Sequence, residues 1–234
     1  MSDTSSVPFV LKGALITLTD TPIVPIPSLI PFQYNPETLT RTITPQSREA
    51  EDGEQPGEAN LAQPGPPAES FSVTIELDAT DFFEDPSRYP VGSVFGVAPK
   101  IANIEKLMYP TGNILGAVLE AIGNLVSSVV SPHASEVPRL AVPITFFVWG
   151  PSRIVPVRIE SLAIEEQAHT PILYPARAKA TLQMRVIARR VFQRSDSQRP
   201  SEWLAVAAHD WTDLNRDLLA LAGAVDTVVG LLPE

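Results

Sequence analysis

Hydrophobic and polar residues alternate with a period of two in several segments of the chain, as expected for strands that bury one face. In 71–78, FSVTIELD, this alternation places Phe71, Val73, Ile75 and Leu77 on one face and polar residues on the other. The other alternating segments are 9–19, 142–149, 153–167 and 177–186. The pattern predicts a mainly β protein of the α+β class.

Two segments depart from simple alternation. Between Glu160 and Leu162 the alternation changes phase, which predicts a bulge or a bend. Residues 20–31, DTPIVPIPSLIP, contain prolines at positions 22, 25, 27 and 31. Because proline has no N–H to donate to a neighbouring strand, this segment is expected to be an extended connection or an edge strand.

Apolar residues take helical spacing from residue 98 onward. Ile101, Ile104 and Met108 predict a short amphipathic helix that ends near Pro110. The next segment, 112–131, is the most apolar of the chain, but Glu120 and three glycines interrupt it and leave too short an apolar run to span a membrane. We therefore expect a helical insertion over 98–131, with 112–131 as a buried or interface helix and no membrane span.

The C-terminal segment, 200–234, predicts a long amphipathic helix with Ser201 as its N-cap. Its apolar residues recur at alternating steps of three and four, the spacing of a coiled-coil seam. This set, called the seam below, is Leu204, Ala207, Trp211, Leu214, Leu218, Leu221, Val225, Val228 and Leu232. Since a free helix with such a seam is unstable in water, it is expected to dock either on its own domain or on another chain. Removing 200–234 is expected to leave a folded β-domain over 1–195.

Length, charge and composition narrow the function classes. A chain of 234 residues with 44% hydrophobic residues is long enough for one main domain with a large core. Its net charge of -10 argues against nucleic-acid binding, which needs a basic surface. The absence of cysteine excludes disulfides and thiol chemistry. The first ten residues do not form a secretory signal, and 46–70 is an acidic segment rich in Gly and Pro that is expected to be a loop.

A row of basic residues stands out on this acidic chain. Within 177–186 the alanines, Leu182, Met184 and Val186 point inward, and the basic residues point outward. The basic row and its continuation are Arg177, Lys179, Arg185, Arg189, Arg190 and Arg194. The row is either a solvated strand face or the complement of an acidic neighbour such as the 49–58 segment of an adjacent subunit. We take it, together with the seam residues Leu204, Trp211, Leu214, Leu218, Leu221 and Val225, as a candidate assembly interface.

No catalytic or cofactor motif is present. The chain lacks nucleophile-elbow, zinc-protease, dinucleotide-binding and phosphate-loop patterns. Its three histidines, His133, His169 and His209, have no metal-ligand spacing. The sequence therefore predicts no enzyme, no metal site and no cofactor.

Several motifs in order resemble the tube-domain family of contractile injection systems, including the inner-tube or baseplate adaptor subunits of the antifeeding-prophage type. The stretch FQYNPETLT comes first, followed by the strand FSVTIELDAT, a short helix, PITFFVWG and the long stretch that ends in PARAKATLQMRV. The positions that carry the resemblance are Phe32, Asn35, Pro36, Glu76 to Asp78, Phe147 to Gly150 and Pro175 to Ala178. By its chemistry alone, Asn35-Pro36 indicates only a sharp turn.

The resemblance implies a fold, an assembly and a location. It implies an antiparallel β-sandwich or small barrel with a flanking helix, six copies of which form a ring around a channel. The partners would be the tube, spike and baseplate subunits of a phage-tail-like particle. Such a particle is assembled in the bacterial cytoplasm and acts outside the cell or is released by lysis.

Two features depart from the family, and one alternative stays open. Members of the adaptor branch often carry a peptidoglycan-binding module where this chain has the seam helix, and 112–131 is longer than the usual connection. The alternative is a β-sandwich module that binds an acidic or glycan ligand and forms oligomers through its C-terminal helix.

Overall fold

The computed structural model describes residues 11–19, 26–46, 65–109, 143–193 and 199–230. Within these ranges seven strands form one antiparallel sheet in the order β2-β1-β5-β6-β7-β4-β3. The strands are β1 (Ala14–Thr19), β2 (Ile26–Pro31), β3 (Leu39–Thr44), β4 (Ala68–Asp78), β5 (Ile144–Val148), β6 (Ile154–His169) and β7 (Pro175–Val186). The helices are α1 (Thr80–Glu84), α2 (Gly92–Phe95), α3 (Ala98–Glu105), α4 (Arg189–Phe192) and α5 (Pro200–Gly230). The mainly β, α+β class with a C-terminal helix is confirmed.

The sheet curls around its core. Strands β4 and β5 are three places apart in the sheet order, a lateral separation of about 14 Å in a flat sheet. Yet the rings of Phe71 on β4 and Phe147 on β5 lie with centroids 5.2 Å apart. Such a contact requires the face that carries both rings, called the inner face below, to be concave. Among the described strands β2 and β3 remain as unjoined edges, so the sheet approaches the expected barrel without closing.

Most of the strand pattern predicted from the sequence is confirmed. Phe71, Val73, Ile75 and Leu77 are all buried on the inner face. The predicted irregularity in β6 is a register shift between Ile159 and Ser161 against β7. The proline-rich segment forms the edge strand β2, and both faces of β5 are buried, as its apolar pattern predicts.

The two faces of the sheet are covered by different helices. On the inner face, α3 closes the core by burying Ile101 and Ile104 among residues of β4, β6 and β7. On the opposite, outer face, a second cluster joins Leu18 and Phe146 to Phe192 of α4 and to Ala205 and Ala208 of α5. Helix α5 therefore packs on the outer face at the β1–β5–β6 side of the sheet.

Three predictions need correction or fall outside the described residues. The buried residue after Ile104 is Leu107, and Met108 is exposed, because the chain leaves α3 in turns after Glu105 and no longer keeps the helical spacing. Strand β4 begins at Ala68, so the predicted 46–70 loop is too long at its C-terminal end. The 112–131 helix, Arg194 and most of the acidic segment lie outside the described residues.

A glycine next to β7 gives the first test of this fold. Gly96 has φ +57°, and a Cβ there would overlap the carbonyl oxygen of Pro175, which also accepts a hydrogen bond from the Val97 N–H at 2.9 Å. We expect Gly96→Ala to lower the free energy of unfolding by about 2 kcal/mol or more. Gly150, with φ +71°, is a matched control because its Cβ would meet no atom within 4 Å. Gly150→Ala should cost only the backbone strain, about 1 kcal/mol. Equal losses in urea unfolding would contradict the overlap at Gly96.

Candidate assembly surfaces

The residues of the F-x-x-N-P motif hold the start of β1. Phe32 is buried, and its ring packs against Phe147 and Trp149 with centroids 6.5 and 6.4 Å apart. The Asn35 side chain accepts a hydrogen bond from the Gly13 N–H at 2.9 Å and donates one to the Leu11 carbonyl at 2.7 Å. Both polar ends of Asn35 are thus used by the backbone. This motif stabilises the fold, and no ligand is needed to explain it.

Residues at the end of β4 and at the start of β7 also belong to the motifs, and their contacts join the two strands. The Gln33 side chain donates to the Asp78 carbonyl at 2.8 Å and accepts from the Asp78 N–H at 3.2 Å. Arg177 donates from Nε to Asp78 Oδ2 at 2.9 Å. The N–H groups of Ala79 and Val97 reach the carbonyls of Ala176 and Pro175. Asp78 and the residues from Pro175 to Arg177 are therefore explained by contacts that hold the ends of β4 and β7 together.

The basic row on β7 has acidic partners on the neighbouring strands. Arg177 pairs with Asp78 at 2.8 Å and Lys179 with Glu76 at 3.1 Å, both on β4. Arg185 pairs with Glu160 of β6 at 2.7 Å. The sequence placed these bases on the outward face correctly, but it did not reveal the acids opposite them, because cross-strand register is a long-range property. The outer face of β4, β7 and β6 is consequently an exposed surface of alternating charge.

On this surface the carboxyl group of Asp78 has a lowered pKa. The Thr80 hydroxyl and then the Thr80 N–H donate to the Asp78 carboxylate, and together with Arg177 they hold the pKa of that carboxyl below its ordinary value. Burial acts in the opposite direction and is outweighed. The carboxylate therefore stays charged and fixes Arg177 at the end of β7.

The remaining basic positions have separate roles. Arg189 of α4 forms an ion pair with Asp210 of α5 and so ties the two helices together. Arg190 is exposed beside it. Arg189, Arg190 and Arg185 also line a cavity of about 1090 Å³ between the sheet, α4 and α5. Because Arg185 and Arg189 are already paired with carboxylates, they are not free to bind an anion without breaking those pairs.

Helix α5 docks through its small residues. Ser201, Ala205, Ala208 and Thr212 are buried and recur at steps of three and four, so they form one stripe along the helix. The Thr212 hydroxyl donates to the Ile154 carbonyl at 2.8 Å and accepts from the Ile154 N–H at 3.1 Å. These short side chains let the helix approach the backbone of β6 closely.

Further contacts hold only the first half of α5. The Trp211 indole N–H donates to the Pro151 carbonyl at 2.8 Å, and His209 Nε2 lies 2.8 Å from the Ile187 carbonyl oxygen. Arg216 reaches Glu69 of β4 at 3.7 Å. Residues 217–227 are all exposed, and their side chains make no hydrogen bond or ion pair to the rest of the described chain. The second half of α5 therefore projects from the domain.

The seam lies away from the sheet. Trp211, Leu214, Leu218, Leu221 and Val225 are each about half exposed or more, from 48% at Trp211 to 66% at Leu221. Leu204 is also exposed, Ala207 is half-buried, and Val228 and Leu232 lie beyond the described side chains. The helix thus docks on its own domain, one of the two modes left open by the sequence, but it does so through the small-residue stripe and not through the leucines of the seam.

The start of α5 also differs from the prediction. The helix begins at Pro200, which places Arg199 at the N-cap and Glu202 at the third helical position. The Glu202 side chain accepts a hydrogen bond from the Arg199 N–H at 3.0 Å, as in one half of a capping box. Ser201 is not the N-cap and instead is buried in the first turn. Since this turn belongs to the core, truncation at residue 200 would expose that core, and a cut after Arg216 is the cleaner way to remove the seam.

Lys100 is the most perturbed lysine: burial, followed by the positive charge of Lys12, lowers the pKa of its ammonium. It donates to the Gln33 side chain at 2.8 Å and lies over the Phe82 ring, contacts that tie α3 to the turn after β2 and to α1. Nowhere among the described residues do three or more histidine and acidic side chains converge as metal ligands.

Comparison with known proteins identifies no relative. No protein-family model matches the chain, and a search of curated proteins finds no significant match. In the described part of the chain, no helix is both long and apolar enough to cross a membrane.

The Asp78 cluster predicts a specific pH dependence. Because the folded pKa of Asp78 is below its unfolded value near 3.8, its contribution to stability is present above that value and is lost as the pH falls through the folded pKa. We expect the difference in unfolding free energy between the wild type and Asp78→Asn to shrink as the pH is lowered below about 5. Urea unfolding at a series of pH values measures it. Asp217→Asn, at an exposed carboxylate with no partner among the described residues, should show no such trend; a flat difference for both variants would refute the role of Asp78.

Substitution by aspartate should destabilise the protein strongly on the buried side of α5 and only slightly on its exposed side. Ala205→Asp places an unpaired carboxylate in the buried cluster of Phe146 and Phe192, and should lower the unfolding free energy by about 3 kcal/mol or more. Leu218→Asp acts on the exposed seam and should change it by less than about 0.5 kcal/mol. Thermal or urea unfolding followed by tryptophan fluorescence gives both values. A large loss at Leu218 would mean that the seam is buried in the monomer.

Proposed function

We propose that this chain is a structural subunit of a contractile injection particle, which forms or joins the inner tube at the baseplate through assembly into a ring. The observation that carries the proposal is the exposed seam of α5 on a domain whose sheet keeps two unjoined edges. The described part of the chain leaves a row of Leu, Trp and Val side chains exposed on a projecting helix, and such a surface is suited to contact with another chain. The motif order described above supplies the particular assembly.

The two sheet edges are chemically different. Edge strand β2 carries Pro27 and Pro31, which have no N–H. Because the ladder to β1 needs donors, these prolines sit where their missing N–H groups face outward, and the outer edge of β2 is short of donors. Edge strand β3, LTRTIT, has no proline and leaves Ile43 about half exposed. The edge of β3 is therefore the better one for pairing with a neighbouring subunit.

The charged outer face fits a surface that meets water or a neighbouring ring. Its ion pairs between β7 and its neighbours β4 and β6 keep the face polar without leaving a strong net charge. In the proposed assembly this face is a channel lining or a contact between stacked rings.

A ligand-binding module remains the second candidate because of the cavity next to α4 and α5. Its volume, about 1090 Å³, is large enough for a small molecule, and Arg158 and Arg190 on its wall make no ion pair among the described residues. This function would need an acidic ligand that displaces or joins the existing carboxylates.

Electron microscopy of particles from the native host, with this chain located in the density, separates the two functions. Purified chain that binds an acidic ligand and is absent from any particle would favour the second.

The unequal sheet edges give a test of ring assembly. Ile43→Lys on β3 adds a charge at an exposed edge position and should reduce incorporation into particles by about tenfold, since edge lysines oppose strand pairing. Leu29→Lys makes the same change at an exposed position of β2 and should have little effect. Incorporation is measured by quantitative immunoblotting of purified particles. Equal incorporation of both variants, with both folded, would rule out pairing through β3.

A further inference from the structure

Helix α5 presents two apolar surfaces of different kinds. The small-residue stripe is already used by the sheet, whereas the seam lies roughly 100° or more around the helix from it at 100° per residue. From Leu204 to Val225 the seam extends for about 32 Å at 1.5 Å per residue. That length is sufficient for the i, i+3, i+4 and i+7 anchors of a helix that docks in a groove.

The second half of α5 is apolar on more than one side. Residues 218–227, LLALAGAVDT, contain only Asp226 as a charged residue. Leu219 is 63% exposed although it lies outside the seam. A helix in a two-stranded coil keeps its back polar, so this composition fits better into a groove wide enough to cover Leu219 as well as the seam. Two exposed indoles, Trp203 at 62% and Trp211, are suited to anchor the first half.

The charges beside the seam are acidic. Over Pro200–Gly230 five acidic residues accompany a single arginine, Arg216: Glu202, Asp210, Asp213, Asp217 and Asp226. Asp210 is paired with Arg189, and Arg216 faces Asp213 and Glu69. Asp217, next to Leu218 at the border of the seam, is exposed and has no ion pair among the described residues. The border of the seam therefore presents a negative charge that the domain itself does not neutralise.

The negative charge at the border of the seam discriminates between the molecules that could cover the seam. A second copy of α5 would bring acidic borders together on two chains that each carry a net charge of -10. An anionic lipid surface would be repelled by the same residues, since surface-bound helices carry Lys and Arg on their polar face. We infer that the seam of α5 docks in an apolar groove with a basic rim on a different protein. The inference rests on the proposed function only in that α5 contacts another subunit.

Site-specific crosslinking tests the occupant directly. The full-length chain is produced in the native host with a photo-crosslinking amino acid at Leu221 in the seam, or at Ala220 on the other side of the helix. We expect Leu221 to yield one crosslinked species containing a different polypeptide, whose linked peptide has apolar residues and Lys or Arg, and Ala220 to yield about tenfold less. A crosslink to a second copy, a crosslink to lipid, equal yields at both positions, or no crosslink would each overturn the inference.

Charge substitutions test the basic rim. Asp217→Lys should lower the yield of the Leu221 crosslink by about tenfold, whereas Asp226→Lys, farther from the seam, should lower it by no more than about threefold. Circular dichroism of the purified variants checks that α5 is intact. If both variants lowered the crosslink yield equally, or if Asp217→Lys did not change it, the groove would not have a basic rim.

Two measurements on the purified chain complete the test. Sedimentation velocity at micromolar concentration should show a monomer, and flotation with vesicles of neutral or anionic phospholipid should show no binding. Dimers that Leu218→Asp dissolves, or vesicle binding, would overturn the inference. If the crosslinked partner is found outside any phage-tail-like particle, the proposed function fails while the docking inference stands; the reverse holds if the chain is in such a particle but crosslinks to itself.

Discussion

The contact between Phe71 and Phe147 sets the shape on which the other features depend. Two rings on strands three places apart in the sheet can lie 5.2 Å apart only if the sheet bends around them. The bend gives the inner face a concave core that the short helix α3 is sufficient to close. It also makes the outer face convex, so that α4 and α5 cover only the β1–β5–β6 side and leave the charged strands open.

The convex outer face explains why α5 has its leucines outward. A helix that crosses close to the backbone of β6, near enough for Thr212 to bond both polar groups of Ile154, has room only for small side chains at the contact. Ala205 and Ala208 fill that contact, and side chains as large as Leu214 or Trp211 would push the helix away. The seam is consequently left exposed. The ion pairs between β7 and β4 also follow from the geometry of the sheet. Alternation along β7 and the register with β4 bring opposite charges together without burying them.

The residues that suggest a function and the residues that support it are different sets. Phe32, Asn35 and Trp149 carry the resemblance to tube-forming proteins, and their contacts show that they build the fold. Their side chains are used inside the domain. Support for an assembly role comes from elsewhere: the projecting half of α5, the proline-free edge of β3 and the polar face of the sheet. The proposal of an assembly role rests on these surfaces and not on the motif residues.

The sequence by itself determined the local structure: the alternation in 71–78 and 177–186, the phase change in β6, the edge character of the proline-rich strand and the presence of a long C-terminal helix. These follow from short-range periodicity and from the missing N–H of proline. Only the tertiary structure decided the strand order, the acidic partners of the basic row and the side of α5 that is buried. Hydrophobicity alone favoured the leucine side, but close approach to a strand selected the alanine side. Which surface meets which depends on shape and on residues distant in the sequence, and no local pattern encodes it.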